Sequence, residues 1–256
     1  MNDKPFHNQV AIVTGAGQGI GFEICRQLAA QGASVVLNDV QTSLAAEAAA
    51  KISKENKAAC VALPGDVSDV DFLQSLVDEA VKKFGQLNIV IANAGITLFG
   101  DFLEYDQADF DQVLSVNLRG TFFLAQSAAR QMIAQGKGGK LLFMSSVTGV
   151  QAHKNLAAYG MTKAAIQMLA KNLVIELSGH KITVNALAPG ATLTARTMEE
   201  PDYEEIWSRL TPIGKPASVE DIANAACFLV SSKADHITGQ TLVIDGGWTS
   251  ISPSPI

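Results

Sequence analysis

Cysteine is scarce in this 256-residue chain, which holds only Cys25, Cys60 and Cys227. The three are scattered, odd in number and set in apolar stretches, so we expect buried thiols in a reducing cytoplasm rather than disulfides or metal ligands. The 4 histidines show no ligand spacing. The sequence therefore predicts a cytoplasmic protein with no metal site.

Long apolar runs and clusters of basic residues are also lacking. The longest apolar stretches, such as Leu87–Ile91 and Ile182–Leu187, are far shorter than a membrane span. Acidic and basic residues are interspersed, with a net charge of −6 and no Lys/Arg run typical of nucleic-acid binding. The start, Met1–Pro5, has no apolar core of a signal peptide. We expect neither membrane nor nucleic-acid partners.

What the chain does have is a regular alternation of short apolar runs and helical patterns. Strands are predicted at Gln9–Thr14, Ser34–Asn38, Ala58–Pro64, Leu87–Ala92, Lys140–Ser145, Lys181–Leu187 and Gln240–Asp245. Helices are predicted from Phe22 to a stop at Gly32 and at Ser43–Lys54, Val70–Phe84, Gln107–Gln135, Leu156–Ser178 and Val219–Ser231. The alternation predicts one α/β domain over 1–256, a doubly wound parallel β-sheet (Rossmann fold) with helices on both faces.

The first strand leads into a glycine-rich turn that opens a helix, the arrangement of a dinucleotide-binding site. Glycines stand at 15, 17, 19 and 21, so the spacing departs from the common G-x-G-x-x-G fingerprint. A helix N-terminus after such a turn attracts a phosphate group. Asp39 ends the second strand, 24 residues after Gly15 (39 minus 15), and suits the adenosine ribose hydroxyls. Its carboxylate would repel the 2′-phosphate of NADP, so we expect NAD(H) to be preferred over NADP(H).

Tyr159 and Lys163 stand four residues apart, one helical turn, so on a helix they share a face. A free phenol ionises only near pH ~10, and a cation held beside it favours the ionised form. The pair can therefore act as a general acid or base near neutral pH.

Seven motifs in order resemble the short-chain dehydrogenase/reductase family, in its single-domain form of roughly 250 residues. They are Thr14–Gly21, Gly65–Val67, Ala92–Gly95, Val116–Leu118, Ser145–Gly149, Tyr159–Lys163 and Val184–Gly190. The resemblance spans about Asn8 to Trp248.

The resemblance implies four catalytic residues, Asn117, Ser146, Tyr159 and Lys163. Ser146 is selected because the family serine stands 13 residues before the tyrosine (159 minus 13); Ser145 is the alternative. Asn117 is implied to support a proton relay, or else its amide bonds its own helix. The cofactor-binding residues are predicted to be Gly15, Gln18, Gly19, Ile20, Gly21, Asp39, Asp66, Val67, Asn93, Ala94, Gly95, Tyr159, Lys163, Pro189, Gly190, Thr192 and Thr194.

The resemblance also implies a substrate-covering insertion near 191–216, which is polar enough here to be a mobile lid. Polar residues near the site (Thr97, Gln151, His153, Asn155 and Thr192) favour a small polar alcohol or ketone, such as a sugar or polyol in a glucose 1-dehydrogenase-like reaction. The alternatives are a 3-oxoacyl-[acyl-carrier-protein] reductase and a nucleotide-binding regulator or scaffold without turnover.

A homotetramer is expected, partly because relatives pair long helices across two-fold axes. Two long helices here are also apolar around much of their circumference. Their apolar residues are Leu114, Leu118, Phe122, Phe123, Ala125, Ala128 and Ala129 on one, and Ala164, Ala165, Met168, Leu169, Leu173 and Ile175 on the other. Alternatively, the surplus packs under loops of the same chain.

Overall fold

A single parallel sheet of seven strands forms the centre of the computed structural model, which describes residues 4–56 and 58–251. The strands are β1 (Val10–Val13), β2 (Ser34–Leu37), β3 (Cys60–Ala62), β4 (Ile89–Ala92), β5 (Gly139–Met144), β6 (Ile182–Pro189) and β7 (Thr241–Ile244). Their order is β3-β2-β1-β4-β5-β6-β7, and every neighbouring pair is parallel. The doubly wound fold predicted from the sequence is confirmed.

The described residues form eight α-helices. They are α1 (Gly19–Ala30), α2 (Thr42–Asn56), α3 (Val70–Phe84), α4 (Gln107–Leu114), α5 (Thr121–Gln135), α6 (Ala157–Leu177), α7 (Tyr203–Leu210) and α8 (Val219–Val230). Six of them (α1, α2, α3, α5, α6 and α8) pack on the two faces of the sheet. None of the helices in that part of the chain has the length and apolar character needed to cross a membrane.

Successive side chains of each strand point to opposite faces, so the sheet has two cores. Ala11 and Val13 of β1 pack with α1, α2 and α8. Val10 and Ile12 pack with α3, α5 and α6 on the other face. Burial on both faces explains why the strands are nearly continuous apolar runs.

One predicted helix is not a regular α-helix over its whole length. The span Gln107–Gln135 is not one α-helix, because a π-helical segment, Ser115–Gly120, separates α4 from α5. Gly120 lets this segment approach the loop after β3, since a Cβ there would lie 2.7 Å from the Val67 oxygen. Apolar spacing cannot reveal one widened turn, and such turns often mark functional sites.

The segment 191–216 also differs from a simple loop. It contains a short 3₁₀ turn, Thr197–Glu199, and the two-turn helix α7. Thr192 pairs with Ala217 in an isolated bridge, which ties the start of the segment to its end. We call the residues 194–210 the covering segment.

Candidate active site

A cleft of about 540 Å³ opens at the carboxyl ends of the strands. Parallel α/β sheets bind ligands at this edge, where neighbouring connections leave to opposite faces. The order of the strands reverses between β1 and β4. Every predicted site residue except Asn117 lines this cleft.

The glycine turn after β1 is shaped for close backbone approach. Gly15 has a φ of 59°, and a Cβ there would lie 2.7 Å from the Ala94 Cα. The Asn93 amide donates to the Thr14 and Gly15 carbonyl oxygens at 2.9 and 2.8 Å. The turn is therefore fixed by the loop after β4, and the N-terminus of α1 faces the cleft.

Asp39 lies at the end of β2, on the rim of the same cleft. Its Oδ2 accepts a hydrogen bond from the Gly17 amide at 3.0 Å, and its Oδ1 accepts one from the Gln41 amide at 3.1 Å. These bonds orient the carboxylate while it still lines the cleft. Val40 beside it is 65% exposed.

Tyr159 and Lys163 lie together on α6, as predicted. Lys163 is only 3% exposed, and its Nζ donates to the Met144 carbonyl oxygen at 2.8 Å. That Nζ is 5.4 Å from the centroid of the Tyr159 ring. The lysine side chain and the phenol ring therefore lie close together at the wall of the cleft.

The two serines after β5 have different environments. Ser145 is 3% exposed; its Oγ donates to the Lys163 carbonyl oxygen at 2.8 Å and accepts from the Gln167 amide at 2.9 Å. Ser146 is half-buried, lines the cleft and caps a short turn by accepting from the Thr148 amide at 3.2 Å. Ser146 thus offers its hydroxyl proton to a ligand, whereas that of Ser145 is used within the protein.

Asn117 lies behind the cleft, fully buried in the π-helical segment. Its side chain exchanges two hydrogen bonds with the backbone of Ile96, at 2.8 and 2.9 Å, rather than bonding its own helix. A Cβ on Gly95 would meet the Lys163 Nζ at 3.2 Å and the Asn117 Oδ1 at 3.3 Å. Asn117 therefore fixes the loop that passes between it and Lys163.

The strand β6 ends at Pro189, and the residues that follow it line the side of the cleft across from the glycine turn. The Thr192 hydroxyl donates to the Gly190 carbonyl oxygen at 3.0 Å. Thr194 faces the start of α1, because a Cβ on Gly19 would lie 3.8 Å from the Thr194 methyl group. Gly19 itself has a φ of 61°, and the space at its α-carbon belongs to the cleft. This open cradle at a helix N-terminus suits a dinucleotide pyrophosphate.

Sequence reasoning missed four cleft residues of the covering segment: Ala195, Arg196, Thr197 and Tyr203. None of them belongs to a motif, and no spacing rule points to them. Burial raises the pKa of Tyr203, while the backbone of Thr192 acts in the opposite direction. The side chains of this segment reach the cleft only because the chain folds back over it after β6.

An aromatic cluster anchors α7 beside the cleft. The His153 ring lies 4.9 Å from Trp248 and 6.5 Å from Trp207, measured between ring centroids. Trp207 and Trp248 meet edge to face at 5.5 Å, and Tyr203 lies 6.1 Å from Trp207. Burial lowers the pKa of His153. The cluster joins three segments that are remote in sequence.

Comparison with known proteins agrees with this site. A family model described as enoyl-(acyl carrier protein) reductase matches residues 15–249. The chain belongs to the short-chain dehydrogenase/reductase family. It is 37% identical over 244 residues to galactitol 2-dehydrogenase (L-tagatose-forming) from Cereibacter sphaeroides, covering 93% of this chain and 94% of the relative. It is 35% identical over 252 residues to a trihydroxynaphthalene reductase from Pestalotiopsis fici, covering 93% and 88%.

Solved structures show the same likeness. A short-chain type dehydrogenase/reductase from Mycobacterium marinum superposes with a TM-score of 0.91 at 28% identity, covering 97% of this chain and 98% of that one. The protein is an oxidoreductase of this family, whose members bind a nicotinamide cofactor, NAD or NADP.

Proposed function

We propose that this protein is an NAD(H)-dependent dehydrogenase that interconverts a secondary alcohol and a ketone. The observation that carries the proposal is the buried Lys163 ammonium beside the Tyr159 ring, in a cleft that also contains Ser146. A protein that only bound nucleotide, as a regulator or scaffold, would have no need for a buried cation next to a phenol.

Each of the four proposed catalytic residues has a distinct task in this reaction. The Ser146 hydroxyl donates a hydrogen bond to the substrate oxygen and orients it. The Tyr159 phenolate removes the hydroxyl proton in oxidation and returns it to the carbonyl oxygen in reduction. Lys163 stabilises the phenolate and holds the nicotinamide ribose, and Asn117 supports the relay behind it. When bound, the nicotinamide accepts or donates the hydride.

Asp39 supports the preference for NAD(H). Its oriented carboxylate lines the cleft at the end of β2, where the adenosine ribose binds in folds of this kind. The described residues that line this cleft include only two cations: Lys163 on α6 and Arg196 in a turn after β6. A 2′-phosphate at Asp39 would therefore meet a negative charge without a nearby cation.

A small hydroxylated substrate such as a sugar or polyol fits the polar residues of the cleft best. Thr97 and Thr192 line it, and Gln151 and Asn155 lie on the exposed loop after β5. The similarity to galactitol 2-dehydrogenase supports the same class.

An aromatic ketone is the second candidate. The cluster of His153, Trp207 and Trp248 beside the cleft supports it, because aromatic faces and edges favour an aromatic partner. The relative that is a trihydroxynaphthalene reductase points the same way.

The experiment that separates these candidates is a panel of sugars, polyols, aromatic ketones and a 3-oxoacyl thioester, each assayed with NAD(H) and NADP(H). We expect the highest kcat/KM for a polyol or sugar with NAD. Preference for an aromatic ketone would select the second candidate, and NADPH-dependent reduction of the thioester would select the acyl-carrier-protein reductase. No turnover with any substrate, despite cofactor binding, would favour the regulator.

Assembly and location belong to the same proposal. We propose a cytoplasmic homotetramer, supported by apolar side chains that the single chain leaves exposed on α5 and α6: Phe122 at 42%, Met168 at 54% and Ile175 at 88%. The edge strand β7 also leaves Leu242 40% exposed. Other apolar residues of α5, such as Ala125 and Ala128, pack inside the chain. We take 191–216 to be the substrate-covering insertion of one domain.

A further inference from the structure

We propose that Arg196 binds the pyrophosphate of the dinucleotide and so links the covering segment to cofactor binding. This inference rests on the nicotinamide cofactor of the proposed function, but it concerns a residue outside the family motifs. Arg196 lines the cleft together with Thr194, Thr197 and Tyr203.

The backbone around Arg196 is held in place by a buried threonine. Thr197 is 7% exposed, and its hydroxyl donates to the Thr192 carbonyl oxygen at 2.9 Å. The same hydroxyl accepts from the Thr194 amide at 2.8 Å. The Thr194 hydroxyl in turn accepts from the Thr197 amide at 3.2 Å. Arg196 therefore projects from a fixed turn although its side chain is exposed.

The charge of Arg196 is not used within the described protein. Ion pairs of the described residues involve Arg26, Lys83 and Lys140, and none of them includes Arg196. Lys163, the other cation that lines the cleft, is buried and already donates to a carbonyl oxygen. Among the described residues of the cleft, Arg196 is thus the positive charge that remains available for a ligand anion.

The position of Arg196 selects the pyrophosphate over other anions. It follows Thr194 by two residues, and Thr194 faces Gly19 at the N-terminus of α1, where a phosphate group is favoured. The ribose end of the cleft, at Asp39, belongs to β2 on the far side of β1. A guanidinium can bind two phosphate oxygens at once through parallel N–H groups.

The other charged side chains of the covering segment are mostly acidic, and Arg209 on α7 is its one further cation. Glu199, Glu200, Glu204 and Glu205 are exposed on the segment. None of these four carboxylates lines the cleft, whereas Arg196 does. Arg196 is therefore the side chain of this segment that can place a positive charge beside the phosphates, and its contact would link the segment to the bound cofactor.

The test measures binding rather than turnover. NADH, ADP-ribose and adenosine are titrated by fluorescence or calorimetry against the wild type, Arg196→Ala and Arg196→Lys. The matched control is Arg209→Ala, which removes the same charge from an exposed position of α7 outside the cleft. Circular dichroism and a thermal melt verify that each variant is folded, and Arg196→Lys serves if the alanine variant is not.

We expect Arg196→Ala to weaken NADH and ADP-ribose about 10- to 100-fold, the range for a lost charged hydrogen bond. Adenosine, which has no phosphate, should bind the variant as it binds the wild type. Arg196→Lys should lose less affinity, since lysine keeps the positive charge but lacks the two parallel N–H groups of the guanidinium. Arg209→Ala should stay within about twofold.

Unchanged binding of NADH and ADP-ribose in Arg196→Ala would overturn the proposal, and so would an equal loss for adenosine. If only the KM of an acidic substrate rose, the arginine would serve a substrate carboxylate instead, which also contradicts the pyrophosphate contact. A wild type that bound no NADH at all would be a failure of the proposed function, and the two failures are therefore distinguishable.

Discussion

At the scale of single residues, Asp39 carries our proposal for the cofactor preference. Its carboxylate receives hydrogen bonds from the Gly17 and Gln41 amides, which hold it at the rim of the cleft. These contacts orient the carboxylate at the end of the cleft where we propose that the adenosine ribose binds. Removing this one charge should therefore change the preference between NAD and NADP more than it changes the preference between substrates.

We predict that Asp39→Ala combined with Val40→Arg shifts preference from NAD toward NADP, because the repulsion is removed and a phosphate partner is added. The comparison is the ratio of kcat/KM for the two cofactors. Val40→Arg alone is the matched control and should keep the NAD preference, since the carboxylate remains. If the wild-type protein already uses NADP better than NAD, our interpretation of Asp39 is wrong.

Residue identities were the most predictable part of the site. Glycines 15, 19 and 21, Asp39 and the Tyr159–Lys163 pair could be found because each depends on local chain geometry. Arg196 and Tyr203 could not, because they reach the cleft through a long connection whose path depends on tertiary contacts. The choice of Ser146 over Ser145 needed the resemblance, and the structure supplies its physical reason in the internal bonds of Ser145.

At the scale of elements, contacts between aromatic rings hold the covering segment against the rest of the chain. The His153 ring is tilted by 38° against the Trp248 ring, and both rings lie close to Trp207 of α7. Because burial lowers the pKa of His153, the folded protein holds this proton more weakly than the unfolded chain does. The unfolded state therefore binds more protons as the pH falls through the ordinary histidine value of ~6.5 toward the lower folded value.

This difference predicts that acidification across that window destabilises the protein through His153. The thermal midpoint, followed from pH ~7 to pH ~5, should fall less steeply in His153→Gln than in the wild type. His180→Gln, at an exposed position, is the control and should keep the wild-type slope. Identical slopes in all three proteins would show that protonation of His153 does not affect the cluster.

Most helices and strands were predicted from the sequence, but the π-helical segment Ser115–Gly120 was not. Predicted α6 and α8 agree with the structure to within a residue at each end. The π-helical segment was missed because its cause is tertiary. Asn117 bonds Ile96, and Gly120 fits against the Val67 carbonyl.

At the scale of the whole molecule, the exposed apolar side chains of α5, α6 and β7 predict association. Phe122, Met168 and Ile175 have no reason to face water in an isolated chain. An edge strand such as β7 also offers unpaired backbone groups to another copy.

We therefore expect light scattering to give a mass about four times the 27.0 kDa of one chain. Met168→Glu combined with Phe122→Glu should lower that mass, because each places a charge in the buried interface. Glu substitution at Leu103, which is 87% exposed in the loop between β4 and α4, is the control. A monomer mass for the wild type at micromolar concentration would refute the tetramer.

The central claim is that Tyr159 transfers the proton while the cofactor transfers the hydride. The most direct measurement compares wild type and Tyr159→Phe for NADH formation with the best alcohol of the panel, alongside NADH binding to both proteins. The account predicts a loss in turnover of ~10²- to 10⁴-fold, since one hydroxyl is removed, with NADH affinity largely unchanged. Near-wild-type turnover by the folded phenylalanine variant would contradict it.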